Sequence, residues 1–158
     1  MNLKIILLSV LIANISLFAT EMGKKENYYG KQKAVYDINY SGGENNKEFF
    51  KVLRNVKNHI KAVGEENIEL KVVLTGDALD MLADANSNIQ LQSQIEELKM
   101  QNVKFLVCNN TLVGRNIDYK TLFDVSKDDI VPSANAELSH LQSQGFSYHK
   151  PWFSGEYL

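Results

Sequence analysis

Val103-Lys104-Phe105-Leu106-Val107-Cys108, running without a break into Asn109-Asn110-Thr111, is the stretch that decides the reading of this chain. Residues 103–107 are four apolar side chains around one lysine, a strand by length and composition. Two comparable runs precede it, residues 34–38 (AVYDI) and 68–74 (IELKVVL), with helical patterns between them. Strands alternating with helical segments are the βαβ signature of a mostly parallel sheet covered by helices.

The helical patterns are read outward from there. Within residues 44–63, Phe49, Phe50, Leu53, Val56, Ile60 and Val63 recur every three or four positions and form one apolar stripe, while Lys47, Lys51, Arg54, Lys57 and Lys61 fall largely on the other side. That predicts a helix lying on the sheet and closed by Gly64. His59 sits among the lysines and reads as solvated. A second helical region follows Gly76-Asp77, with Asp77 as its N-cap, and Asn86-Ser87-Asn88 separates it from a third over residues 89–100 with Leu91, Ile95 and Leu98 inward. Beyond the third strand the pattern predicts a short helix from Ile117 and a short strand at Ile130-Val131. A helix over residues 134–144 follows, capped by Ser133 and stopped by Gly145, and then a last strand ended by Pro151.

Composition limits the function. The chain has 158 residues, and its 17 Lys+Arg against 19 Asp+Glu give no basic field to hold nucleic acid. One cysteine excludes an internal disulfide, and three scattered histidines argue against a cysteine-rich zinc site. Lys4 followed by the apolar residues 5–18 (IILLSVLIANISLF) forms the n-region and h-region of a secretory signal. Residues 1–19 are accordingly read as a signal peptide cut after Ala19, since the run is shorter than the roughly 20 residues of a membrane span. An uncleaved anchor stays open. The expected product is periplasmic, with no stable membrane span after cleavage. Residues 20–32 read as a polar linker, 33–152 as one domain and 153–158 as a tail.

Cys108 ends the third strand, and the carboxyl ends of strands in open α/β sheets face the ligand crevice. If the chain turns into a helix there, the free N–H groups of Asn109, Asn110 and Thr111 favour thiolate over thiol, making Cys108 a nucleophile and those three residues its binding groups. The alternative is that a lone cysteine is a small buried hydrophobe. His140 and His149 are candidate bases for Cys108, although no spacing requires it. Asp77 and Asp80 could line the same edge. Ser41-Gly42-Gly43 stands where a glycine loop can cradle phosphate, but Glu44 would repel one and a plain turn is favoured. No G-x-S-x-G elbow supports a serine triad. Tyr148, His149, Pro151, Trp152 and Phe153 make an aromatic terminus that reads as packing on the domain or on another subunit.

Phe105-Leu106-Val107-Cys108-Asn109-Asn110-Thr111-Leu112, then Ile130-Val131-Pro132-Ser133-Ala134, Glu137-Leu138, Leu141-Gln142, Gln144-Gly145-Phe146 and Tyr148 to Pro151 resemble the DsrE/DsrF-like family over essentially residues 33–152. The resemblance implies a three-layer α/β/α fold with a mainly parallel five-stranded sheet, and a homo-oligomer. It also implies sulfur-relay chemistry, in which the cysteine at Cys108 holds sulfane sulfur as a persulfide and hands it on as a carrier or sulfurtransferase. No metal or organic cofactor is expected. The sulfur donor and the acceptor thiol or protein are not specified by the sequence, and the rival reading is an oligomeric binding module with Cys108 inert.

Overall fold

A computed structural model of the chain describes residues 28–151; the signal-peptide reading, most of the linker and the tail with Trp152 and Phe153 lie outside them. Tyr28 and Tyr29 belong to an N-terminal unit ending at Gly30 and meet edge to face, 5.0 Å between ring centroids. The second unit begins at Lys31.

Five strands form one sheet: β1 (Gln32–Ile38), β2 (Ile68–Leu74), β3 (Lys104–Cys108), β4 (Ile130–Val131) and β5 (Ser147–His149), in the order β4-β3-β2-β1-β5. Every neighbouring pair is parallel, with Ile38 beside Leu74, Leu74 beside Val107, Cys108 beside Val131 and Tyr36 beside His149. Among the described residues five α-helices accompany it: α1 (Lys47–Val63), α2 (Asp80–Asp84), α3 (Ile89–Met100), α4 (Asn109–Gly114) and α5 (Ala134–Ser143).

Alternation along each strand divides the interior in two. Ala34, Tyr36, Ile38, Leu70, Val72, Leu74, Phe105 and Val107 pack with the apolar stripes of α1 and α3, with α2 and with Leu112 of α4. Val35, Val73, Leu106, Cys108 and Val131 face the other way, against Ala134, Leu138 and Leu141 of α5 and against Phe146. Because both faces are covered, the strands read as nearly continuous apolar runs. Successive strands step from β1 to β4 in one direction and the chain then returns across the sheet to β5. Its last helix crosses the face that the others leave free, as uniform crossover handedness requires.

Five local expectations differ from the structure. Asp77 is not an N-cap: Thr75 takes that position, Gly76 at φ 57 turns the chain directly off β2, and Gly76–Leu79 is a 3-10 turn ahead of α2. The helical turn after β3 begins at once rather than at Ile117, ends near Asn116 at φ 52, and a separate 3-10 turn, Tyr119–Thr121, follows. Asn45 and Asn46, both at positive φ, divide the first helix so that its regular part starts at Lys47. Ser133 stands at the N-cap of α5 without a side-chain capping bond. Ser41-Gly42-Gly43 is an irregular connection rather than the expected plain turn, its Gly43 and Gly42 carbonyls accepting from the N–H groups of Asn46 at 3.2 Å and Glu48 at 2.9 Å; a Cβ at Gly42 would come within 2.6 Å of the Phe49 ring, so the glycine admits the close approach of the helix.

Candidate functional site

Cys108 is the last residue of β3, and the chain leaves its strand and the adjacent β4 toward opposite faces of the sheet. After β3 it enters α4, whose Leu112 belongs to the larger core; after β4 it enters α5, which covers the other face. Neighbouring strands with diverging exits open a crevice at their carboxyl ends, where α/β sheets bind ligands. The sulfur lies at that point, directed toward α5.

The residue is 4% exposed, within an apolar neighbourhood of Leu106, Val131 and Ala134. The backbone N–H of Ala134, first residue of α5, donates to Sγ at 3.3 Å. Burial alone would push the thiol up, but the Ala134 N–H, the N–H and hydroxyl of Thr111 and the N–H of Asn110 outweigh it, so the pKa falls below the ordinary thiol value. Among these, the α4 groups act without completing a regular capping bond to the sulfur. Oriented N–H and O–H dipoles carry the lowering.

Thr111 is the half-buried member of the predicted trio, whereas Asn109 and Asn110 are exposed. Its Oγ1 accepts from the Gly76 N–H at 3.1 Å and lies 2.9 Å from the Thr75 hydroxyl, tying α4 to the end of β2. Asp77 and Asp80 flank the same edge and are met by Arg115, which sequence reasoning missed. Its Nη2 donates to Asp80 Oδ1 at 2.9 Å and its Nη1 to the Gly76 carbonyl at 2.8 Å. Two carboxylates after β2 with a cation just after the β3 helix are the signal that points to it, once both are placed on one edge.

Neither candidate histidine serves Cys108. His149 is on β5, three strand spacings or roughly 14 Å from β3, and stacks on Tyr36 with centroids 5.0 Å apart. His140 is exposed on α5 and bonded to Gln144 at 2.9 Å. His59 is not a solvated surface residue: it is half-buried, bonded to Tyr36 Oη at 3.2 Å and Gln32 Oε1 at 2.8 Å, with its ring 5.3 Å from His149. An open groove of about 880 Å³ beside α4 is lined by Asn109, Leu112, Ile117, Tyr119 and Ile130 among others. Four of those pack with the larger core, so the groove opens on the face away from the sulfur. Among the described residues no cluster of three or more His, Cys, Asp or Glu side chains is placed to hold a metal ion.

Residues 29–149, which take in the whole sheet and the helices on both its faces, match the model of the DsrE/DsrF-like family. The chain belongs to that family. Solved structures of the DsrE/DsrF-like arrangement include a protein of unknown function, MTH1491 from Methanobacterium thermoautotrophicum, with a TM-score of 0.64 and 21% identity over 77% of this chain and 100% of that one. The ychN protein from E. coli gives a TM-score of 0.59 and 22% identity over 76% and 99% of the two chains. Both likenesses concern the fold. No curated protein matches the chain. Cys108 and the segment from β4 to β5 fall inside the matched DsrE/DsrF-like region.

Proposed function

We propose that this DsrE/DsrF-like protein is a single-cysteine sulfur carrier. The observation that carries the reading is the placement of Cys108 Sγ at the diverging strand ends, under the Ala134 N–H and with its pKa lowered. Thiolate is the attacking species in sulfur exchange, and a site that favours the anion favours both its attack and its departure. In uptake, the Cys108 thiolate attacks the outer sulfur of a donor R–S–SH; the new S–S bond gives Cys108–S–SH and the donor's S–S bond breaks to release R–S⁻. In discharge, an acceptor thiolate attacks that outer sulfur, takes it as its own persulfide and returns Cys108 as thiolate. No electrons enter or leave and no cofactor takes part. With one cysteine in the chain, discharge is to another molecule. The signal-like residues 1–19 support a periplasmic place of work.

Loading with polysulfide, followed by alkylation and peptide mapping, tests this: added sulfur is expected at Cys108 and lost in Cys108→Ser, with the circular dichroism of the variant unchanged. The 4% exposure of Cys108 favours a second reading, a binding module of several copies in which the thiol is inert. A thiol reagent that titrates Cys108 only after denaturation would select that reading.

A further inference from the structure

We propose that the cavity between α1 and the edge strand β5 is a binding site for a small tetrahedral oxyanion of sulfur or phosphorus, taken up together with a proton on its histidines. The cavity measures about 460 Å³ and is lined by Asn55, Asn58 and His59 of α1, Tyr36 of β1, and His149 and Lys150 at the end of β5. It stands apart from the sulfur site, since β5 is three strands from β3. Asn55 and Asn58 are exposed, His59 and His149 half-buried and Tyr36 buried. Among the described residues the lining holds no carboxylate. The ammonium of Lys150 is already met at 2.8 Å by Asp37, which alternation turns to the opposite face of β1. Recognition of a ligand therefore falls to the imidazoles and carboxamides, which offer N–H donors.

The two histidine rings are held in place. His149 lies flat on Tyr36, with centroids 5.0 Å apart and planes 11° from parallel, and His59 is tilted against both. A carboxamide oxygen only accepts, so His59 Nε2 donates to Gln32 Oε1 at 2.8 Å, and in the neutral ring Nδ1 accepts the Tyr36 hydroxyl at 3.2 Å. His149 Nε2 lies 3.1 Å from the Ser147 hydroxyl, and Nδ1 is its second polar atom. The titratable groups lining the cavity around either ring are the other ring, Tyr36 from β1 and Lys150 after β5, while α1 adds carboxamides beside His59. Imidazolium rings with centroids 5.3 Å apart repel each other, and burial opposes the charge on both, so their pKa values lie below the ordinary histidine value. An oxyanion between the rings and the Asn55 and Asn58 amides supplies the missing counter-charge and accepts several N–H bonds at once. Protonation also turns His59 Nδ1 into a donor to Tyr36 Oη, which frees the phenolic proton for a further acceptor. Anion and proton enter together, and binding tightens as pH falls.

The test is an NMR titration of the histidine ring protons in the full chain from about pH 8 to 5, in sodium sulfate and in sodium chloride of equal ionic strength. The chain has three histidines, and His140, exposed on α5, is the internal reference. Sulfate is expected to raise the His59 and His149 midpoints by about one pH unit and to leave His140 in place. The double variant Asn55→Ala and Asn58→Ala, at two exposed helix positions, should lose most of that rise and keep the wild-type midpoints in chloride. Sodium acetate should raise the midpoints less; an equal rise would assign the cavity to carboxylates and overturn the choice of anion. Three midpoints that move together, or none that moves, would overturn the site. A full rise in the double variant would overturn the part given to the asparagines. Sulfur loading at Cys108 is expected to be the same in the double variant as in wild type, so this inference and the carrier reading fail separately.

Discussion

At the scale of single residues, each titratable group near the sheet takes its character from neighbours supplied by distant parts of the chain. Cys108 was legible as a strand end, because the apolar run before it is unmistakable; that α5 would place an N–H on its sulfur was not, since Ala134 is 26 residues away. His59 shows the reverse. On its helix it lies among lysines and looks solvated, but Gln32 and Tyr36 of β1 and His149 of β5 close over it. Burial, and for His59 the charge on His149, lower the pKa of both histidines. The unfolded chain then binds protons more readily, so stability is full above the ordinary histidine value near 6.5 and declines as pH falls through it, until the folded values are passed. Melting temperature followed from pH 8 to about 5 should drop for wild type and drop less for His149→Phe, which keeps a ring on Tyr36 and relieves His59.

At the scale of elements, legibility tracks the number of periods an element contains. Strand β2 over Ile68–Leu74 and helix α3 over Ile89–Met100 occur where the pattern predicts them, and Asn88 caps α3 by accepting from the N–H groups of Gln90 at 3.2 Å and Leu91 at 3.1 Å. Replacing Asn88 by Ala should cost about 1 kcal/mol in denaturant unfolding, with Cys108 chemistry unaffected. Helix α4 is the counterexample. Six residues long and opened by Asn109, Asn110 and Thr111, it has poor propensity and too little length for a repeat. Its shape is imposed by burial of Leu112 and by the tie from Thr111 to Gly76. The short pieces that local patterns do not reveal are therefore the ones that build the sulfur site.

At the scale of the whole molecule, the parallel sheet and the carboxyl edge on which Cys108 sits followed from the order of apolar runs, whereas the seam that closes the sheet did not. Asp37 on β1 is buried, and its Oδ2 accepts from Tyr148 Oη and Lys150 Nζ, each at 2.8 Å, across more than a hundred residues of chain. Burial first, then the bond to Asp37 and its charge, push the Tyr148 phenol up to about 12. Removing the acceptor strands a lysine that is only 18% exposed, so Asp37→Ala should cost about 3 kcal/mol. Hydrogen exchange should show the loss as early opening of β5, whose three residues pair only with β1. That seam lies two strands from Cys108, so sulfur loading at permissive temperature should survive.

The claim that Cys108 is a working sulfur acceptor is tested most directly by intact mass of the native protein after exposure to polysulfide and again after a small thiol is added. Wild type should gain the mass of one sulfur atom and lose it to the thiol, while Cys108→Ser gains nothing. A folded wild type that takes up no sulfur, or a Cys108→Ser variant that takes up as much, would contradict the account.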